Sequence, residues 1–456
     1  MQTREKFSSR LGFILISAGC AIGLGNVYRF PIMTGTYGGA LFVLVYIAFL
    51  LLMGFPIMTM ELAVGRASQR SIASSFDQLE KKGQKWHWLK YLGIAGNYLL
   101  MMFYTTISGW MLIYFLKYMN GSILEYKTSK ELGLLFDKIV ANPSLLAICA
   151  FVVIVVCFGI CSLGLQKGVE RVTKVMMVAL FALMLGLAVY CCTLSNAAEG
   201  LKFYLIPDIN NIEEYGFGTV LSAAMGQSFF TLSVGMGSIA IFGSYIGKER
   251  SLPGEALTIL SLDTAVAIVS GFIVFPACFT YNGGVTADAS TVGAGFLFTT
   301  LSSIFNSMTG GRIVGMLFFM FMLFAALSTV IAVFENIVSF WLELTKLSRI
   351  KIAIINIILL FVLSLPCVLG FSLLSKVSIF GLGIMDFEDF TVSNLLLPLG
   401  SLFYVLFCTS RYGWGWDKYF AEVNTGRGMK LAKWLRPYLT FVLPIIILVV
   451  FVMSVI

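Results

Sequence analysis

The chain has 456 residues, 59% of them hydrophobic and only 12% charged, where a soluble domain averages about 25% charged. With a mean hydropathy of +0.92, this composition excludes an ordinary soluble enzyme and leaves a polytopic membrane protein. A single histidine, His87, leaves no Ser-His-Asp set and no histidine metal cluster, so most hydrolytic chemistry lacks its residues.

Hydropathy and turn signals place about eleven spans, near 11–36, 38–65, 89–117, 144–164, 169–193, 216–243, 254–281, 311–342, 352–372, 388–410 and 432–455. Arg4, Lys6 and Arg10 precede the first span, and no small-residue cleavage site follows a short apolar core, so that span is expected to stay. If the N-terminus lies inside, the inner segments carry most of the 31 Lys and Arg residues, which favours N-in and C-out. The net charge of +8 then belongs to basic loops at the lipid surface, not to a nucleic-acid surface. The nine cysteines lie in apolar runs without zinc-like spacing and read as core thiols.

The first span contains "SAGCAIGLGNVYRF", residues 17–30, with Gly19, Gly23, Gly25, Asn26 and Arg29 at bilayer depth. Glycine weakens a helix, and unpartnered backbone groups in hydrocarbon are costly, so a broken helix is expected with something occupying the break. The sixth span repeats the feature in "GQSFFTLSVGMGS", residues 226–238, with Gly226, Gly235, Gly237, Thr231 and Ser233. Two breaks five spans apart predict a five-helix unit used twice in opposite orientation, over 11–193 and 216–410, with 432–455 as an added helix. The alternative, glycines that merely let helices approach closely, accounts for one such span better than for two with polar residues in both. Between them, spans two and eight carry the acids Glu61 and Glu335, either structural or part of a proton pathway. The outer segment "ADASTVGAGFLFTTLSSIFNSM" has helical apolar spacing and suits a hairpin dipping into an outer vestibule, with a surface loop as the alternative.

These stretches, with "FAALSTVIAVFEN" and "MDFEDF", resemble the bacterial amino-acid branch of the neurotransmitter:sodium symporter family over nearly the whole chain. The resemblance implies an all-α membrane protein of one transporter domain, 1–456, with an inverted five-helix repeat and broken helices 1 and 6. It implies two sodium sites. One uses carbonyls of Gly19, Ile22 and Ala325 with hydroxyls of Ser328 and Thr329; the other uses Ala21, Asn26, Thr231 and the substrate carboxylate, with Asp263 where the family usually has asparagine. Residues 325, 328 and 329 share a helix face, and neutral oxygens suit a monovalent ion, although Ser and Thr in such helices also bond their own i−4 carbonyls.

For substrate, the resemblance implies that Leu24 and Gly25 amides and the Tyr104 hydroxyl meet a carboxylate. Carbonyls of Ala21, Phe230 and Thr231 and the Ser233 hydroxyl then meet an ammonium group. Gly23 stands where monoamine carriers have aspartate, which favours a substrate bringing its own carboxylate. By the same resemblance Leu100, Tyr104, Phe230, Met236, Thr329 and Val333 are expected to form the side-chain pocket, whose flexible Met236 suits hydrophobic or aromatic L-amino acids. Chloride-dependent members use a serine where this chain has Ala267, while Tyr46, Gln227 and Thr231 match the rest of that pocket. Asp263 is therefore expected to supply the negative charge, making chloride unnecessary.

Arg29 and Asp386 match the outer gate pair, with Phe230 as lid, and Arg4 and Glu343 match the inner pair, with Phe7 where tryptophan is usual. Val178 replaces a proline that assists release in several relatives. The function expected is sodium-coupled symport across a bacterial cytoplasmic membrane by alternating access. The alternative is an amino-acid sensor with the same fold, and nothing points to an enzyme. The lipid bilayer and a small-molecule L-amino acid are the expected partners.

Overall fold

The computed structural model describes residues 5–208, 216–284 and 296–455. Among these residues the fold is helical throughout, with no strand and only two isolated bridges, Arg250 with Arg427 and Ile379 with Leu382. Among the described residues, nine helices are long and apolar enough to cross a membrane: Ala40–Ser68, Trp86–Asn120, Pro143–Ser162, Leu165–Cys192, Leu252–Tyr281, Gly311–Leu344, Arg349–Leu369, Ile384–Thr409 and Lys433–Ser454. The pair Arg10–Ala21 and Gly25–Thr36, bent by 55°, makes a tenth if it is one span. The expected sixth span is divided into Phe217–Leu232 and Ser238–Gly243, which leaves neither piece long enough to cross alone.

Local sequence sets many of these boundaries. Pro143 occupies the first turn of its helix, where its missing N–H costs nothing, and Asn142 caps that turn by accepting the Leu145 N–H at 3.1 Å. Outside the spans, Thr128 and Glu131 form a reciprocal capping box at the start of Ser129–Val140. The hydrogen bonds from Lys127 and Thr128 backbone hold the Glu131 carboxyl below its ordinary range.

The Gly311–Leu344 and Trp86–Asn120 helices pack along each other and form the middle of the molecule, with Arg10–Ala21 against the former. Close approach elsewhere depends on glycine. A Cβ at Gly65 would lie 1.9 Å from Ala240 O, and one at Gly243 would lie 2.4 Å from Leu62 O, so the Ala40–Ser68 helix nearly touches Ser238–Gly243. The Lys433–Ser454 helix lies at the edge, with Ile445, Leu448 and Val449 exposed as lipid-facing side chains would be.

The outer segment expected to dip inward is partly described. Phe296–Leu301 and Ser302–Ser307 are helical and largely buried, with the Phe298 ring 4.8 Å from Tyr114 and 5.8 Å from Trp110, so this part is not a surface loop. The remainder of the proposed hairpin, residues 285–295, lies outside the described residues.

Candidate functional site

Both breaks are real interruptions of the backbone. The first helix ends at Ala21, Ile22 turns to an extended ψ of 103°, and the chain re-enters a helix through a wide π turn over Gly25–Arg29. In the second, Ser233, Gly235 and Gly237 take φ of 50°, 101° and 78°, a left-handed region that glycine enters without penalty. Gly226 lies inside the uninterrupted Phe217–Leu232 helix, so this break starts later than the glycine pattern suggests.

The freed backbone groups find side-chain partners. Gly235 N–H donates to Glu61 Oε2 at 3.1 Å, and Met236 O accepts from Asn97 Nδ2 at 2.9 Å. Gly25 O accepts from Gln227 Nε2 at 2.7 Å, and Asn26 O from the Ser270 hydroxyl at 2.9 Å. In hydrocarbon each such group left alone would cost several kcal/mol, so these side chains hold the breaks open. Glu61 is thus bonded to the neighbouring broken helix. Glu335 is buried in a separate cluster with the Tyr245 hydroxyl at 2.7 Å, Ser339 and Arg349.

Two clusters of oxygens flank the first break. Thr329 Oγ1 lies 3.3 Å from Gly19 O, 3.1 Å from Ile22 O and 3.4 Å from Ala325 O. Ser328 Oγ lies 3.5 Å from Ile22 O and 2.9 Å from Ala325 O. Five neutral, hard oxygens from two helices converge there in a buried place, a donor set that fits a monovalent cation better than calcium. On the other side, Asn26 Nδ2 donates to Asp263 Oδ1 at 2.8 Å and Thr231 Oγ1 donates to Asp263 Oδ2 at 3.4 Å. Asn26 Oδ1 accepts the Gly23 N–H at 3.1 Å, joining that carboxylate cluster to the break. Asp263, Asn26 and Thr231 are fully buried, in surroundings where charge interactions are much stronger than in water. Ala267 lies one turn on and is fully buried; Tyr46 is buried too, its ring 5.0 Å from Phe30.

Between the breaks lies a narrow cavity. Ala21, Gly23, Gly25, Leu100, Tyr104, Phe230, Ser233, Met236 and Thr329 line it, together with Leu397. Leu24, Thr231 and Val333 are buried outside that lining, and Leu24 contributes through its amide, which donates to the Tyr104 hydroxyl at 2.9 Å. Leu397 was not among the expected residues. It arrives from the Ile384–Thr409 helix, and nothing in its own sequence neighbourhood signals a pocket. The lining combines hydroxyls of Tyr104, Ser233 and Thr329 with the apolar side chains of Leu100, Phe230, Met236 and Leu397, so it can take a small amphipathic molecule.

The gate residues are arranged differently from the expected pairs. Arg29 and Asp386 are not in contact; Arg29 lies over the Phe230 ring at 4.4 Å and donates to Ser393 Oγ at 3.4 Å. Ser393 Oγ in turn donates to Asp389 Oδ1 at 2.8 Å, so the acid linked to Arg29 is Asp389, one helical turn beyond Asp386. The two acids at i and i+3 in "MDFEDF" were the available signal. Glu343 accepts from Ser71 N–H at 2.7 Å and Ser74 Oγ at 2.5 Å, while Arg4 lies outside the described residues. The Phe7 ring packs 5.6 Å from Tyr245 and 6.4 Å from Phe242. Val178 is 61% exposed on the unbroken Arg171–Cys192 helix.

A family model described as the sodium:neurotransmitter symporter family matches residues 4–131 and 124–456. The chain belongs to that family. As a symporter-family member it is similar to an uncharacterized sodium-dependent transporter of Bacillus subtilis, 32% identical over 452 residues, covering 99% of this chain and 97% of the relative. A second uncharacterized sodium-dependent transporter, from Haemophilus influenzae, is 31% identical and covers 98% of each chain. Among solved structures, MhsT in complex with L-phenylalanine aligns with a TM-score of 0.86 at 37% identity, covering 99% of this chain and 100% of that one. More distantly, the dog sodium- and chloride-dependent taurine transporter is 26% identical over 99% of this chain and 78% of its own. The symporter is accordingly a sodium-dependent, multi-pass membrane transporter and not an enzyme.

Proposed function

We propose that the symporter moves a hydrophobic or aromatic L-amino acid together with sodium across a bacterial cytoplasmic membrane, by alternating access and without chloride. The observation that carries this reading is the cavity between the two breaks, polar at Tyr104 and Thr329 and apolar at Leu100, Phe230, Met236 and Leu397. A zwitterion suits a cavity between two helix breaks, since half-helix N-termini favour a carboxylate and half-helix C-termini favour an ammonium group. A substrate lacking a carboxylate has no counterpart at Gly23, where an acid would be needed for a bare amine and where a Cβ would come 2.3 Å from the Tyr104 hydroxyl. The similarity to MhsT, crystallised with L-phenylalanine, supports the same chemical class.

The two oxygen clusters support a reading with two sodium sites. The Ser328 and Thr329 cluster joins the first broken span to the Gly311–Leu344 helix, so a cation there would tie two elements together. The Asn26, Thr231 and Asp263 cluster touches the first, sixth and seventh spans, and its carboxylate offsets the positive charge of the cation. In relatives named as chloride-dependent an anion is required; here Asp263 serves that electrostatic purpose, and Ala267 offers no hydroxyl to an anion. The N-terminus is placed inside and the C-terminus outside, by the distribution of basic residues.

The deciding experiment is uptake of radiolabelled L-phenylalanine and L-leucine into proteoliposomes under an inward sodium gradient. Accumulation that collapses when sodium is equalised is expected. Binding without flux would leave a sensor in place of a transporter, and neither binding nor flux would sink the amino-acid reading.

A further inference from the structure

The geometry points to Gly96 as the residue that sets the size limit of the substrate pocket, acting through the side chain of Met236; the inference rests on the amino-acid reading given above. Gly96 is buried on the Trp86–Asn120 helix and does not line the cavity, whereas Met236 does. A Cβ at position 96 would lie 2.7 Å from Met236 Sδ and 3.3 Å from Met236 Cγ. Non-bonded carbon atoms rest about 3.5–4.0 Å apart, so a methyl group there must displace the thioether by roughly 1 Å.

The displacement has one direction open to it. The Met236 carbonyl is held by Asn97 Nδ2 at 2.9 Å, and Asn97 Oδ1 is itself fixed by the Ser238 hydroxyl at 3.0 Å. The backbone on either side is also confined. A Cβ at Gly235 would meet Leu397 O at 2.5 Å, and one at Gly237 would meet Ile72 Cδ1 at 2.7 Å, so both glycines are already in contact with their neighbours. Leu396 Cδ1 stands 3.4 Å from the same Cβ position at 96 and closes that side. With the main chain of Met236 pinned and the far wall occupied, its flexible side chain gives way toward the cavity. Gly96 is therefore a positioning residue: it recesses Met236 and leaves depth for a large substrate side chain.

The test uses the full-length protein in detergent, with tritiated L-phenylalanine as probe and unlabelled L-valine as competitor, followed by uptake of both in proteoliposomes. Gly96→Ala should weaken L-phenylalanine at least about tenfold relative to L-valine, since one methylene of lost room in an apolar pocket commonly discriminates by that factor or more. Alanine is also the better helix former, so the helix itself is not endangered. Adding Met236→Ala to Gly96→Ala should restore L-phenylalanine, because the displaced side chain is then gone. An unchanged ratio in Gly96→Ala overturns the proposal, as does a uniform loss of both amino acids that Met236→Ala does not reverse. Absence of binding by the unmodified protein would instead overturn the amino-acid reading.

Discussion

Asp263 is the one acid among the residues proposed to hold sodium, and its two oxygens are met by Asn26 at 2.8 Å and Thr231 at 3.4 Å. If that carboxylate balances the cation, uptake should be equal in chloride and in gluconate, and Asp263→Asn should abolish uptake or make it anion-dependent. The neutral amide would leave positive charge in a buried site where interactions are much stronger than in water. Anion replacement at fixed sodium checks this, and a loss of uptake by the unmodified protein in gluconate would overturn it. The other cluster gives an independent prediction. Ser328→Ala removes an oxygen that lies with Thr329 against the Ile22 and Ala325 carbonyls, in a dry place where water does not substitute readily. Losing one charge-assisted contact should raise the half-saturating sodium concentration about tenfold. Thr231→Ala should act in the same direction through the Asp263 cluster. Unchanged sodium dependence in both variants, at normal expression, would remove the two-site assignment.

At the scale of the element, helix breaks are legible because a spanning segment has few other uses for glycine beside Asn and Arg at bilayer depth. Both breaks could be read from "SAGCAIGLGNVYRF" and "GQSFFTLSVGMGS", whereas Asn97 and Ser270, which bond their freed carbonyls, lie on other helices and carry no such signal. What escaped was whatever depends on how helices dock. Gly226 carries the same residue type as Gly235 but stays helical, because only the later glycine is pressed against Leu397 O and Ser401. Asp389 in place of Asp386 is a matter of which turn of a helix faces Arg29, and Leu397 enters the pocket from the tenth span by packing alone. The same docking predicts the effect of changing a glycine that approaches backbone. At Gly65 a Cβ would sit 1.9 Å from Ala240 O, a contact that no side-chain rotation relieves. Gly65→Ala should therefore destabilise the protein by about 1–3 kcal/mol through overpacking. Gly186→Ala, where a Cβ meets nothing within 4 Å, should not. Thermal denaturation in detergent separates the two, and equal melting temperatures would show that the Ala40–Ser68 and Ser238–Gly243 contact can spread without cost.

Across the whole molecule, distant segments are joined at the end that carries the basic loops. Arg66, fully buried at the end of the Ala40–Ser68 helix, donates from Nε to Glu422 Oε1 at 2.7 Å, from Nη1 to Arg250 O at 2.6 Å, and from Nη2 to Glu422 O. Lys248 adds a bond to Glu422 Oε2 at 3.1 Å, and Ser251 N–H donates to Arg427 O at 3.0 Å. The second span, the loop before the seventh and the short Trp416–Val423 helix thus meet on one buried cation. Hydropathy cannot reveal such a joint, since Arg66 reads as one more basic residue at a span end. Removing one partner of a buried pair leaves the other without compensation, which commonly costs 3–5 kcal/mol, whereas exposed pairs contribute about 0–1 kcal/mol. Glu422→Ala should accordingly lower the melting temperature far more than Lys248→Ala, whose side chain is 59% exposed. Because the loss comes from a stranded charge and not from a missing attraction, Arg66→Met combined with Glu422→Leu should recover much of it. If the double variant is instead no more stable than Glu422→Ala, the Arg250 carbonyl and the packing of the guanidinium, not the charge pair, hold this end together.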